Sequence, residues 1–287
     1  MSGRPRVVAL GGGHGLAATL RATRRYGGDV TAIVSVADDG GSSGRLREIF
    51  GVPPPGDLRK CLVALSAPSV WSTAFEHRFD AGELEGHALG NLVIAGLAAS
   101  TGDFIFAVEE AGRLVQAGGT VLPATTVPVV LKADAAGGAV QGQVAVGRAG
   151  RIVRVSLVPV DPEPPAAALT ALAQADQIVL GPGSLYTSVL AVVAVPALRD
   201  ALAGARGRKV YVCNLRPQVP ETEGYDVAAH LAALEAHGVE VDVVLCDTTG
   251  LPLGAPDRPW VDAPLARPNG LAHDSERLAA ALADLVG

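Results

Sequence analysis

Lysine is nearly missing from this chain of 287 residues. Three lysines and twenty arginines oppose 29 acidic side chains, leaving a net charge of −6. The basic residues are scattered, with no Lys/Arg block, which argues against nonspecific nucleic-acid binding, and no direct nucleic-acid partner is expected. Cysteine is equally scarce. Cys61, Cys213 and Cys246 are odd in number, lack CxxC spacing and each sit in an apolar run. They are expected to be small buried hydrophobes in a reducing cytoplasm instead of metal ligands or disulfide partners. His77, His230, His237 and His273 show no HxxxH-type spacing, so no histidine metal cluster is evident. No stretch of some twenty apolar residues is free of charges and helix-ending signals, and no membrane span is expected. Residues 185–198 come closest, but Pro196 and Arg199 mark a buried helix ending at a surface. The N-terminal text MSGRPRVVALGGG offers one short apolar run, less than a signal peptide needs, so a cytoplasmic location is expected. No nucleophile elbow, Ser/His/Asp order or reactive-cysteine setting stands out.

What is present is a βα alternation. With 49% hydrophobic residues the chain can bury one large core. A strand over 6–10, a glycine loop, a helix over 16–26 and a strand over 30–37 make a βαβ unit. Helices near 57–66, 69–79, 86–99 and 103–117 exceed what one crossover needs, so a helix-rich cap over about 57–117 is expected. Strands over 127–133 and 139–146 flank the Ala-Ala-Gly-Gly turn at 135–138, with a third over 152–158, reading as a small antiparallel hairpin insertion at about 127–158. The alternation resumes with a helix over 162–175, strand 177–180, helix 185–204, strand 209–213, helix 227–237 and strand 241–246. A Pro-rich tail, 247–287, wraps the surface as a loop to 270 and ends in a helix over 275–285. Together these predict a single α/β domain spanning 1–287: a Rossmann-like, doubly wound, mainly parallel sheet with its ligand crevice at the carboxyl ends of the strands.

Four segments fall at those ends. Gly11, Gly12, Gly13, His14 and Gly15 lie between a strand and a helix, where backbone N–H groups can face a phosphate, and positions 13–18 formally satisfy GxGxxA. A tight structural turn is the plain alternative. Asp38 and Asp39 end the next apolar run and open into GGSSGRLR, where Gly41, Ser42, Ser43 and Arg45 join two carboxylates to small turn residues and a guanidinium. Asp57 and Arg59 follow in PPPGDLR. Asp38, Asp39 and Asp57 are candidate ligands for Mg2+ held against a diphosphate. A second glycine loop, with Gly181, Gly183 and Ser184, precedes a long helix; helix capping is its plain alternative. His87 and Asn91, four apart, are expected on one helix face. Asn214 and Gln218 open a polar loop after the strand at 209–213, and Glu221 and Thr222 follow them.

In this order, VVALGGGHGL, TAIVSVADDGGSSGRLR, PPPGDLRKCLVALS, GHALGNLVIAGL, IVLGPGSLYTSVL and VYVCNLRPQVPETEGY resemble the YvcK/CofD-like family nearly end to end, and more closely its YvcK branch, the gluconeogenesis factors. The resemblance implies a Rossmann-like core that binds a nucleotide-linked ligand. For the CofD branch it implies transfer of phospholactate from a guanylyl carrier to a deazaflavin with Mg2+. For the YvcK branch it implies a protein without established catalysis that binds UDP-sugars such as UDP-N-acetylglucosamine. That branch also influences cell shape, peptidoglycan synthesis and growth on gluconeogenic carbon. A homo-oligomer and a regulatory protein partner, not identifiable from sequence, are expected on the same ground. Carried over by position, Gly11, Gly12, Gly13 and Gly15 match the first loop, with His14 where threonine is usual. Asp38, Asp39, Ser42 and Ser43 match the acidic signature, Asp57 and Arg59 the PPGD loop, and Asn91 the GNL motif. Lys60 and Ala272 depart from the pattern, and the tail is shorter and richer in proline. The absence of an evident nucleophile favours a nonenzymatic nucleotide-sugar sensor over an active transferase. An NAD-dependent dehydrogenase rests only on GxGxxA and Asp38.

Overall fold

Apolar runs buried on both faces set the central sheet. The computed structural model describes residues 3–287, and the first two residues of the N-terminal tail lie outside them. Strands β1 (Arg6–Gly11) and β2 (Asp29–Val34) are buried at every position after the first. Such strands lack polar alternation because helices cover both sides of a parallel sheet. Helix α1 (Gly13–Tyr26) makes the crossover between them. After β2 come α2 (Gly41–Phe50), α3 (Gly56–Leu65), α4 (Val70–Glu76), a 3₁₀ turn at Gly82–Leu84, α5 (Leu89–Thr101), α6 (Phe104–Val115) and β3 (Thr120–Pro123). A separate antiparallel sheet is built from β4 (Val130–Ala135), β5 (Gly138–Gln141) and, after the short helix α7 (Gln143–Gly147), β6 (Ile152–Val158). Next are α8 (Ala166–Gln174), β7 (Gln177–Leu180), a π-helical turn at Leu185–Val189, α9 (Leu190–Val193), α10 (Pro196–Gly204) and β8 (Arg208–Val212). The chain closes with α11 (Val227–Ala236), β9 (Val243–Cys246), β10 (Trp260–Asp262) and α12 (Ser275–Ala283).

The main sheet has seven strands in the order β3-β2-β1-β7-β8-β9-β10, and every neighbouring pair is parallel. From β1 the chain winds outward through β2 to β3; from β7 it winds the other way to β10. The reversal falls between β1 and β7, so the loops leaving those strands part there and leave a crevice. This is the doubly wound α/β architecture expected from the sequence, with the small antiparallel sheet beside it.

Several local expectations fail for identifiable reasons. The hairpin strand expected over 139–146 ends at Gln141, because Gly142 adopts φ +94° and turns the chain into α7. The single helix expected over 185–204 is three short pieces. Pro196 has no N–H to continue a helix and starts α10, so Leu185–Val193 and Pro196–Gly204 meet at a bend of 78°. By length and composition this bent pair passes for an apolar span, yet all residues of its first half are buried in the core. Among the described residues, no single helix is long and apolar enough to cross a membrane. Strand β3 was not expected, and β10 emerges inside the Pro-rich segment expected to be a loop. Both are short edge strands, and all three residues of β10 are exposed, so hydrophobic patterning carries little signal for them. The tail is anchored by Asp247, whose Oδ2 accepts the N–H groups of Leu265 and Ala266 at 2.8 and 3.1 Å. Burial pushes the Asp247 carboxyl up, but these bonds and those from Thr249 outweigh it and hold its pKa below the ordinary value.

One buried bond ties α1 to the loop after β7: Thr19 Oγ1 donates to the Gly181 carbonyl at 2.7 Å. Thr19→Val keeps the shape but strips that carbonyl of its partner, and we expect a loss of about 1–3 kcal/mol, read from the urea unfolding midpoint.

Candidate functional site

The first glycine loop begins where β1 runs out. Gly12 is the extended N-cap of α1 and has no side chain to cap it, so the first helical N–H groups need partners from elsewhere. Asp57, at the start of α3, supplies one. Its Oδ2 accepts the Gly13 N–H at 2.7 Å while its Oδ1 accepts from Lys60 Nζ at 2.9 Å. The second glycine loop closes from the β7 side. A Cβ on Gly15 would lie 2.1 Å from the Pro182 carbonyl oxygen, so the two loops meet backbone to backbone. Gly183 donates its N–H to Asn214 Oδ1 at 3.1 Å, linking this loop to the one after β8.

The helix start after the second loop is already filled. Glu221 Oε1 accepts the N–H groups of Tyr186 and Thr187 at 2.8 and 3.0 Å. Glu221 is 4% exposed; burial raises its pKa, opposed by these N–H groups and by the hydroxyls of Ser184 and Thr187. Ser184 makes no N-cap bond of its own. The phosphate contact expected at this loop therefore meets a carboxylate supplied by the protein.

Asp38 and Asp39, adjacent in sequence, serve different neighbours. Asp38 Oδ1 accepts the Gly40 N–H at 2.9 Å. Asp39 Oδ1 accepts the Val144 N–H at 3.0 Å, from a residue 105 positions away, and a Cβ on Gly142 would fall 2.3 Å from Asp39 Oδ2. Asp39 thereby holds α7 of the antiparallel sheet against the α2 loop. Burial first, and with it the Asp57 carboxylate, raise the Asp38 pKa, while Gly40, Ser43 and Lys60 oppose the rise. The carboxylates brought together are Asp38 and Asp57. Among the described residues, no group of three or more His, Cys, Asp or Glu side chains is placed to hold a metal ion.

Beside them, α2 starts at Gly41 (φ +50°) with Gly40 as its N-cap and no side-chain cap. Ser42 and Ser43 are buried in its first turn. Ser42 Oγ lies 3.0 Å from His87 Nδ1 and accepts from Asn91 Nδ2 at 3.0 Å. His87 precedes α5, whose N-cap is Ala88, so it does not share a helix face with Asn91 as expected; the Ser42 hydroxyl joins the two instead. Asn91 Oδ1 stays buried without a partner. The two arginines point into the helical cap. Arg45 Nη2 donates to the Glu85 carbonyl at 2.7 Å, and Arg59 Nη1 donates to the Phe75 carbonyl at 3.0 Å and meets Glu76 at 3.2 Å.

The open space lies on the other side of the glycine loops. A cleft of about 550 Å³ is lined by His14, Gly15 and Ala18, by Pro182 and Gly183, by residues 214–219 and by 271–273. It unites His14, Gly15, Gly183, Asn214 and Gln218 from the expected set; Asp38, Asp39, Ser42, Ser43, Asp57, Arg59 and Asn91 do not line it. Sequence reasoning missed Leu271 and His273, which the tail brings in. The signals were the shorter, Pro-rich tail and the departure at Ala272. Asn214 Nδ2 and Gln218 Oε1 are both buried without a partner. His273 lies with Nε2 3.2 Å from the Cys213 carbonyl, and burial pushes its pKa down to about 4.

A histidine held neutral in the fold binds its proton more readily when unfolded. Its contribution is complete above the ordinary histidine pKa of about 6.5 and is lost as pH falls toward 4. Burial lowers the pKa of His230 and His237 as well, so their contributions have the same sign. We expect the urea midpoint to fall between pH 7 and pH 5. The drop should be shallower in His273→Asn, by at most about 1.4 kcal/mol per pH unit for one group.

The chain matches the family model described as 2-phospho-L-lactate transferase CofD over residues 7–278. It is 42% identical over 259 residues to the gluconeogenesis factor of Bacillus subtilis (strain 168), covering 88% of this chain and 81% of that protein. A relative from Nostoc sp. is 44% identical over 236 residues, 81% of this chain but 52% of the relative, so the chain spans about half of that protein's length. The crystal structure of a UPF0052-family protein from Bacillus halodurans superposes with a TM-score of 0.92 at 37% identity, covering 98% of this chain and 99% of that one. With nearly its whole length matched, and with the glycine loops and acidic segment at the ends of the expected strands, the chain belongs to the CofD family and is similar to the members named gluconeogenesis factors.

Proposed function

We propose that this protein binds a uridine nucleotide sugar, of the UDP-N-acetylglucosamine kind, as a regulatory ligand without turning it over. The observation that carries this reading is the unpaired amide pair in the cleft. Asn214 Nδ2 is a donor, Gln218 Oε1 is an acceptor, and both are buried on the same wall. Leaving such atoms unpaired costs about 1–3 kcal/mol each. The imide edge of uracil, an N–H beside a carbonyl, is chemically complementary to such a donor and acceptor once small side-chain rotations turn them toward the cleft. His14 and Gly15, in the first turn of α1, lie on the same cleft, and backbone N–H groups at a helix start suit a diphosphate. Effects on gluconeogenic growth, peptidoglycan supply and cell shape would follow if a protein partner reads the occupancy of this cleft.

A second reading, phospholactate transfer between a guanylyl diphosphate carrier and a deazaflavin, is favoured by the family and by the approach of Asp38 to Asp57 beside Lys60. One or two carboxylates with diphosphate oxygens suffice for Mg2+, which would shield the charge on the diphosphate. Guanine offers the same N–H and carbonyl edge to Asn214 and Gln218, so the nucleobase has to be tested directly. We expect calorimetry to show binding of UDP-N-acetylglucosamine, weakened about tenfold or more in Asn214→Ala, with GDP weaker and no dependence on MgCl2. No heat with UDP-N-acetylglucosamine or UDP-glucose overturns the uridine reading. A deazaflavin product above the no-enzyme control establishes the second.

A further inference from the structure

A second groove lies on the outer side of α1. Arg21, Arg24 and Arg25 follow i, i+3, i+4 spacing and share one face of that helix. They border a space of about 810 Å³, closed by the end of α3, by Thr73 of α4 and by Ser275 at the start of α12. That volume lies within the usual range of small-molecule sites, about 300–1,000 Å³.

The fold supplies these guanidinium groups with only some of their partners. Arg24 Nη1 donates to the carbonyls of Ala64 and Ser66 and so closes the end of α3. Arg25 Nη2 meets Glu276 Oε1 at 2.9 Å. Glu76, the carboxylate that lines the groove, is engaged by Arg59 at 3.2 Å. Arg21 has no hydrogen bond or ion pair among the described residues, although it lines the groove. The groove is lined by three guanidinium groups and one carboxylate, Glu76. The helix dipole accounts for Arg24 and Arg25, which stand in the last turn of α1 near its unpaired carbonyls. It does not account for Arg21, one turn earlier.

We infer that this groove is a second anion site, taking a small phosphate-bearing metabolite. Arg21 is its free guanidinium fork, Arg25 a second contact, and the hydroxyls of Thr73 and Ser275 are further donors. A planar guanidinium offers paired N–H groups that match two phosphate oxygens, which a lysine ammonium cannot do. The site is separate from the cleft. Positions 21–25 lie about 12–18 Å along α1 from Gly13 at the helical rise per residue, and no cleft residue lines the groove.

Pyrophosphate is the probe, titrated by calorimetry into the full chain, the Arg21→Ala variant and the Arg21→Lys variant, with thermal melts on each. Arg21 is exposed and unbonded, so both variants are expected to melt as the parent does. Losing the fork is expected to weaken pyrophosphate binding about tenfold or more in Arg21→Ala, with a smaller loss in Arg21→Lys. If Arg21→Ala melts lower, the Arg21→Lys comparison decides. Absence of pyrophosphate binding, or equal affinity in the parent and the variants, overturns the site. Pyrophosphate can also enter the cleft at the start of α1, but Arg21 does not line the cleft, so the dependence on Arg21 is what tests this site.

Discussion

The approach of the two glycine loops at the β1–β7 reversal is the contact on which the rest of the structure depends. Gly15 passes so close to the Pro182 carbonyl that even one methyl group would collide with it. That contact brings the start of α1 beside the loop after β7, and through the Gly183–Asn214 bond it draws in the loop after β8. The cleft exists because three loops from three adjacent strands are held at this spacing. A bulkier residue at position 15 would push α1 outward and separate the walls.

Internal carboxylates complete the same region. Asp57 caps the start of α1, Glu221 the turn after the second glycine loop, and Asp39 the start of α7. Each satisfies backbone N–H groups that an exposed helix start would offer to an anion. The effect is selective. Gly13, Tyr186 and Thr187 are spent within the protein, so a ligand phosphate has to use the remaining groups at the beginning of α1. Adjacent aspartates that look like a ready metal pair are divided between two tasks, one closing the antiparallel sheet onto α2 and the other standing near Asp57.

Chemistry in the crevice is thus shared between two sides of the glycine loops. On one side are Asp38, the Asp57–Lys60 pair and the Ser42–His87–Asn91 group, each bonded within the protein. On the other is the open cleft, with an unpaired donor and acceptor. Under the proposed reading a nucleotide base takes the open side. The arginine face of α1 has a different logic, since its charge lies at the opposite end of that helix, where Glu276 engages Arg25 and Glu76 is engaged by Arg59.

The parallel sheet, the glycine loops and the acidic segment were legible in the sequence, because strands buried on both faces read as unbroken apolar runs and tight turns announce themselves through glycine. The edge strands β3 and β10 were not, since short edge strands carry little pattern. Which polar residues meet was not legible either. The partners of Gly13, Asp39 and Tyr186 lie 44, 105 and 35 positions away, and no local spacing encodes such pairings. By itself the sequence determined the inner strands of the parallel sheet, the loops at their ends and the family. Only the tertiary structure decided that Arg59 turns into the cap, that Glu221 fills a helix start, and that His273 of the tail joins Asn214 and Gln218 around one cleft. Local propensity and hydrophobic periodicity act over a few residues, whereas the satisfaction of buried polar groups is settled by whatever the fold brings within hydrogen-bond reach.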